Sequence, residues 1–120
     1  MIIEQAFVTT DIIAIESIVM SQPVIIPGAW GRVSFRTKNI GGDLSNIDSA
    51  SIVIKDITDT TRVGYTNTNL VNDDTGEYHY DFQIPEIALS GQWRVEITCT
   101  IGSRTAVRNV FFPVRGADES

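Results

Sequence analysis

The chain has 120 residues, which predicts a single domain, and 42% of them are hydrophobic, enough to bury a core. Fifteen acidic and nine basic residues leave a formal net charge of −6, which argues against a nucleic-acid partner because phosphate binding needs clustered lysines and arginines. A single cysteine excludes an internal disulfide, and no apolar run approaches the length of a membrane span, about 18 residues, so we expect no membrane partner.

The start of the chain, "MIIEQAFVTTDIIAIESIVM", does not read as a signal peptide. It lacks a basic first segment, and Glu4, Asp11 and Glu16 interrupt its apolar residues. We therefore expect a soluble protein made in the cytoplasm, unless a route independent of a signal peptide exports it.

Residues 11–20 are predicted to form the first strand, which leaves residues 1–10 as an N-terminal arm. Apolar side chains left in water would form an exposed patch, so the arm needs a surface that covers it. It either adds a strand to its own sheet or pairs with an edge strand of a neighbouring subunit. The arm residues predicted to form such an interface are Ile2, Ile3, Phe7 and Val8.

The middle of the chain alternates with a period of two, which predicts strands. In "GRVSFRTK", Val33 and Phe35 are predicted to point inward. "ASIVIKDI" (residues 50–57) is β-branched and mostly apolar, which suits a strand that is buried on both faces or lies in mid-sheet. "RVGYT" (residues 62–66) reads as a short strand after the polar turn "TDTT".

Two further strands are separated by the arch "PEIALSG". The turn "NDDTG" (residues 72–76) precedes "GEYHYDFQI", and the second strand is "QWRVEITCTI". The side chains predicted to face the core are Tyr78, Tyr80, Phe82 and Ile84 from the first, and Trp93, Val95, Ile97, Cys99 and Ile101 from the second.

The last strand, residues 104–114, alternates imperfectly because Arg108 is out of step with its apolar neighbours. Val107 and Phe111 lie on the opposite face and predict a second contact surface. We interpret the strand as either bulged or at the edge of a sheet, and Pro113 suits an edge.

About seven strands separated by polar turns predict an antiparallel β-sandwich. The domain is expected at residues 11–116, between the arm and a short polar tail at residues 117–120.

Several motifs resemble bacterial and phage immunoglobulin-like domains. These are "TGEYHYDFQIP", "SGQWRVEITCTIG" and "VIIPGAWGRVSFR", and the likeness covers most of the chain from about residue 19. The antibody-type disulfide pair is absent, since Cys99 has no partner cysteine. The resemblance implies an immunoglobulin-like sandwich and is specific for fold rather than function.

Small immunoglobulin-like domains of this kind occur in tailed-phage virions as head decoration, neck, tail or fibre modules. The resemblance therefore implies a structural virion protein that binds neighbouring copies and capsid or tail subunits, is oligomeric in its assembly, and has no enzymatic activity or cofactor. The alternative is a module that binds carbohydrate or a cell surface through its loops, including Trp30 and Tyr65.

His79 shares a strand face with Glu77 and Asp81, so a two-carboxylate, one-imidazole metal site is conceivable. Alternation alone also produces this pattern, and we favour a solvated strand face. His79 and Cys99 are predicted on opposite kinds of face, the first outward and the second in the core, which argues against a catalytic pair.

Asp73 and Asp74 offer oxygen ligands for Ca²⁺, but they lack the alternating acidic layout of a calcium loop and suit a turn equally well. Trp93 is predicted to anchor the core. Trp30, in a predicted loop between Gly28 and Gly31, is either a contact residue or a lid over one end of the sandwich.

Overall fold

The computed structural model describes residues 13–64 and 69–115, and within these ranges the chain forms eight β-strands. They are β1 (Ala14–Met20), β2 (Trp30–Lys38), β3 (Ser49–Lys55), β4 (Thr61–Val63), β5 (Leu70–Asp74), β6 (Glu77–Gln83), β7 (Gly91–Ile101) and β8 (Arg104–Val114). The arm at residues 1–10, with Ile2, Ile3, Phe7 and Val8, lies outside the described residues, as does the tail at 117–120.

The strands form two four-stranded antiparallel sheets. The first sheet has the order β1-β2-β6-β5 and the second the order β4-β3-β7-β8. The predicted all-β sandwich is confirmed, with eight strands in place of about seven. In the part of the chain that the structure describes, no helix has the length and apolar character needed to cross a membrane.

One core lies between the two sheets, and aromatic rings connect them. The Phe112 ring of the second sheet lies 5.8 Å from the Phe82 ring of the first sheet and 6.4 Å from that of Trp93, centroid to centroid. The Trp93 indole N–H donates to the Leu89 carbonyl at 2.8 Å, which satisfies the polar atom of a buried ring. The predicted inward faces of β2, β6 and β7 are confirmed, and Trp93 is a core residue.

The turn predicted at residues 72–76 is shorter than expected, because β5 continues through Asp74. The Asn72 side chain closes the hairpin by donating to the carbonyls of Asp74 and Glu77, at 2.6 and 3.0 Å. The chain reverses at Thr75 and Gly76. A Cβ on Gly76, whose φ is 71°, would meet backbone atoms at 2.8 Å, so only glycine fits.

The structure also decides between the alternatives for two other strands. β3 lies in mid-sheet with Ile52 inward and Ser51 exposed, so burial on both of its faces was wrong. β8 is the last strand of its sheet, so it is an edge strand. It pairs with β7 without any register shift, so it is not bulged. The irregular pattern at Arg108 has another cause, since its guanidinium donates to the Ile15 carbonyl of β1 at 2.8 Å.

Candidate functional site

The outer edge of β8 carries the site, and the orientation of its backbone follows from two hydrogen bonds. The Ile25 amide donates to the Pro113 carbonyl, and the Arg115 amide donates to the Ile25 carbonyl, both at 3.1 Å. The N–H and C=O of one strand residue point to the same side, and successive residues alternate. Odd-numbered residues of β8 therefore direct their backbone groups away from β7.

The residues with outward backbone groups before Pro113 are Thr105, Val107, Asn109 and Phe111. Within residues 13–64 and 69–115, none of them donates to or accepts from the backbone of another segment. Pro113 has the same parity, so the N–H that it lacks would also have pointed outward and no ladder bond is lost. β8 thus presents an open row of main-chain donors and acceptors.

The same stretch of β8 exposes two large apolar side chains. Val107 is 51% exposed and Phe111 is 56% exposed, both on the outer face of the second sheet. Both side chains lie on the face opposite the core, as alternation predicted, and the contact surface itself stays a prediction.

The other three edges of the described sandwich are less suited to pairing. β1 is bulged between Glu16 and Val19, where Ser17 has a φ of 54°. β4 has three residues and β5 has five, against eleven in β8. Bulges and short strands are the usual means of blocking an edge, so β8 is the edge that remains open.

A slot separates β8 from β1, on the side toward which its backbone groups point. It has a volume of about 370 Å³ and is lined by residues 13–16 of the first sheet and residues 105–108 of the second. Arg108 spans it through the bond to Ile15. Ile13, which is buried and is the first described residue, lines this slot.

The conceivable metal ligands on β6 do not converge. The Asp81 carboxylate accepts two bonds from Arg32, at 2.7 and 3.0 Å, and these bonds lower its pKa. Glu77 pairs with Arg36 at 3.4 Å, and His79 Nδ1 lies 2.8 Å from an oxygen of Asp73. Each candidate has its own partner, and no group of three such residues could hold a metal among the described ones.

Cys99 and His79 lie in different sheets and face different environments. Cys99 is fully buried in the core, and this burial raises the pKa of its thiol to about 12. His79 stands on the outer face of the first sheet, opposite Ser34 of β2. A thiol that stays protonated and cannot reach a base does not act as a nucleophile, as the sequence predicted.

Asp73 and Asp74, which were weighed as calcium ligands against a simple turn, also have separate partners. Asp73 approaches His79, whereas Asp74 accepts a hydrogen bond from the Thr75 amide at 2.7 Å and so stabilises the turn. The register of β5 against β6 shifts between Asn72 and Asp74, so the regular alternation of side chains is interrupted at these two aspartates.

Trp30 is the first residue of β2, paired with Gln83, so the predicted loop and lid were wrong. Its ring is 56% exposed and lines a shallow hollow of about 450 Å³ on the outer face of the first sheet. A Cβ at Gly31 would meet Ile25 at 2.6 Å, so the glycine allows the chain to pack closely where β2 begins. The other residues that line the hollow are Ser21, Gly31, Arg32 and Asp81.

Sequence reasoning did not identify the backbone groups of Thr105 and Asn109 as part of the candidate site. The odd-numbered position of Pro113 was the available signal. A proline has no N–H to donate, so the backbone groups at its position in a strand usually point to the side without a neighbouring strand. Alternation identified Val107 and Phe111, because it shows to which face each side chain points. It does not show which edge of a strand lacks a hydrogen-bonded neighbour.

No protein-family model matches the chain, and no curated protein matches it. Solved structures do match. A DUF4785 family protein from Legionella pneumophila superposes with a TM-score of 0.61 at 9% identity over 85% of this chain, which spans 28% of that protein. The Lin-41 filamin domain superposes with a TM-score of 0.55 at 14% identity, over 86% of this chain and 91% of the domain.

A third match is an alkylpurine DNA glycosylase of Pseudomonas fluorescens, with a TM-score of 0.50 at 12% identity over 87% of this chain and 30% of that one. At such identities the similarity shows the fold alone. The chain is an immunoglobulin-like β-sandwich of eight strands within the residues that the structure describes.

Proposed function

We propose that this protein is a structural assembly module, and that the open edge of β8 accepts an extended segment of a neighbouring subunit. The observation that carries the proposal is the row of outward main-chain groups from Thr105 to Phe111. An extended segment added there would continue the second sheet and gain backbone hydrogen bonds, a recurring mode of protein recognition.

Side chains supply the selectivity in this mode of binding. Val107 and Phe111 are four positions apart on the outer face of β8. Alternate apolar residues of an added strand would pack beside them. Long, regular and apolar edges are associated with pairing to another chain, and proteins usually block them. Leaving this edge open is what an assembly module requires.

The N-terminal arm of a neighbouring copy is the proposed donor. Residues 1–10 contain Ile2, Ile3, Phe7 and Val8, and they precede Ile13 at the slot beside β8. The proposed setting is the virion of a tailed bacteriophage, and what supports it is that "TGEYHYDFQIP" and "SGQWRVEITCTIG" resemble immunoglobulin-like domains that occur in such particles. Repeated copies would follow the symmetry of the particle.

Light scattering of the full chain over a range of concentrations tests the proposal. Self-association should weaken about tenfold or more in Asn109→Pro, which removes an outward N–H and leaves the β7 ladder intact. Asn109→Ser keeps that N–H and is the matched control. A chain that stays monomeric at all concentrations, or associates equally well in both variants, would contradict the proposal.

The hollow at Trp30 favours a second candidate function, the binding of a saccharide. An exposed indole face suits the C–H face of a sugar ring. Beside it, the Arg32–Asp81 pair holds a guanidinium and a carboxylate in a fixed plane, and the Ser21 hydroxyl lies close. A glycan array probed with the full chain should give hits that Trp30→Ala removes, and an array without hits eliminates this candidate.

A further inference from the structure

The charges of the protein are unevenly distributed among its described strands. All nine lysines and arginines lie in the described residues, and six of them contact a carboxylate within 4.0 Å. These six are Arg32, Arg36, Lys38, Lys55, Arg62 and Arg94. An acidic protein with 15 carboxylate side chains has ample partners for its bases, so a base without a carboxylate partner is informative.

The remaining three bases all lie along β8. Arg104 is its first residue, Arg108 is in the middle, and Arg115 follows its last residue. None of the three forms an ion pair with a described carboxylate, and the guanidinium of Arg108 donates only to a backbone carbonyl, that of Ile15. Among the described residues, the strand with the open edge is thus also the strand whose arginines have no carboxylate partner.

Two of these arginines have positions suited to contacting the side chains of a bound segment. Arg108 lines the slot of about 370 Å³ between β1 and β8, and Arg104 lines an adjoining hollow of about 350 Å³. Ile13 borders both cavities. The two arginines are four positions apart along an extended strand, which corresponds to about 13 Å, and both side chains leave the strand on the same face.

We infer that the β8 edge binds an extended peptide segment with two acidic residues four positions apart. The inference rests on the open edge of the proposed function. It names a partner other than the arm, since residues 1–10 carry a single acidic residue, Glu4. The backbone of the segment would pair with the outward groups of β8, while its carboxylates meet Arg104 and Arg108. Apolar residues between them would pack beside Val107 and Phe111, on the other face of the added strand.

Both parts of the site are needed to select this partner. Guanidinium groups bind carboxylates through paired, charge-assisted hydrogen bonds, which an uncharged segment cannot supply. The row of main-chain groups selects an extended polypeptide over other anions. The net charge of −6 disfavours a polyanion such as nucleic acid, whose binding requires a larger basic surface.

Fluorescence anisotropy with three labelled nine-residue peptides tests the inference on the full chain. The probes are TVEVTVEVT, its uncharged counterpart TVQVTVQVT and its basic counterpart TVKVTVKVT. All three have the same alternation of valine with polar residues. We expect the acidic peptide to bind about tenfold more tightly than the uncharged one and the basic peptide to bind least. Equal binding of all three peptides would overturn the inference.

Variants assign the preference to the two arginines. Arg104→Gln combined with Arg108→Gln should abolish the advantage of the acidic peptide, and glutamine at 108 retains a donor for the Ile15 carbonyl. Arg36→Gln removes the same kind of charge from the first sheet and should leave the preference unchanged. An equal loss in Arg36→Gln would attribute the preference to net charge and overturn the inference.

Two further outcomes separate this inference from the proposed function. If Asn109→Pro abolishes self-association while the three peptides bind equally, the acidic partner is wrong and the assembly edge stands. If Asn109→Pro changes neither self-association nor peptide binding, both are wrong. Displacement of the acidic peptide by a ten-nucleotide single-stranded oligothymidine at equal concentration would indicate a general anion site and would also overturn the inference.

Discussion

The Ile25 amide donates to the Pro113 carbonyl at 3.1 Å, and this bond closes the final residues of the β8 edge while the stretch before them stays open. The bond forms because the segment after β1 crosses from the first sheet to the second, where Ile25 pairs in parallel with Val114. Among the described residues, Ile25 is the only one that pairs with the outer side of β8. The outward backbone N–H and C=O groups of Thr105, Val107, Asn109 and Phe111 therefore stay available for a partner.

Deleting residues 1–10 should leave a folded domain that no longer self-associates. The arm is the proposed donor to a neighbouring copy, and the described core packs between the two sheets from residues that follow the arm. Circular dichroism with thermal unfolding measures the fold, and light scattering measures the association. Unfolding of the truncated chain would instead indicate that the arm docks on its own sheet.

Replacing Trp93 with alanine should lower the free energy of unfolding by about 3–5 kcal/mol, because the substitution leaves a large cavity between the sheets. Urea titration followed by circular dichroism provides the value. Trp30→Ala is the matched control, and its cost should stay within about 0.5 kcal/mol because the ring is exposed. Similar losses in the two variants would refute the placement of Trp93 in the core.

Cys99 should resist thiol reagents at pH 8 in the native protein and react rapidly once the protein is unfolded. Burial raises its pKa to about 12, so the native thiol stays protonated and inaccessible. A pKa raised on folding also means that stability declines as pH rises above the ordinary thiol value of about 8.5. Ellman's reagent with and without denaturant measures the reactivity, and fast labelling of the native chain would contradict the prediction.

Asp56 should stabilise the β3–β4 hairpin through its charged form. Its buried carboxylate accepts hydrogen bonds from the Thr58 hydroxyl at 2.6 Å and from Arg62 Nε at 2.6 Å, and these bonds hold its pKa well below the usual value. A depressed pKa contributes stability above the unfolded-state value, about 3.9, and the contribution is lost as pH falls through and below it.

Asp56→Asn should therefore lower the urea midpoint at pH 7, and the difference from the natural chain should narrow toward pH 2. Asp43→Asn, on an exposed turn, is the control and should shift the midpoint little at either pH. A gap that stays constant with pH would show that the charge of Asp56 is not what stabilises the hairpin.

Several features followed directly from local pattern. Alternation assigned Tyr78, Tyr80 and Phe82 to the core because neighbouring side chains of a strand point to opposite faces. The same rule separated Cys99 from His79 and identified the exposed side chains Val107 and Phe111. The strand β5 escaped prediction because "NLVNDD" is polar, and it forms by pairing with β6 rather than from its own propensity.

The sequence alone determined the fold class and the inward face of most strands, because a strand's alternation is a local property of its residues. Tertiary structure decided which strand lies at an edge and, among the described residues, which of its sides stays open and which bases have no carboxylate partner. These depend on pairings between distant residues, such as Ile25 with Pro113 and Arg108 with Ile15, which no local pattern contains. The open, basic edge of β8 therefore emerged only when the two sheets were assembled.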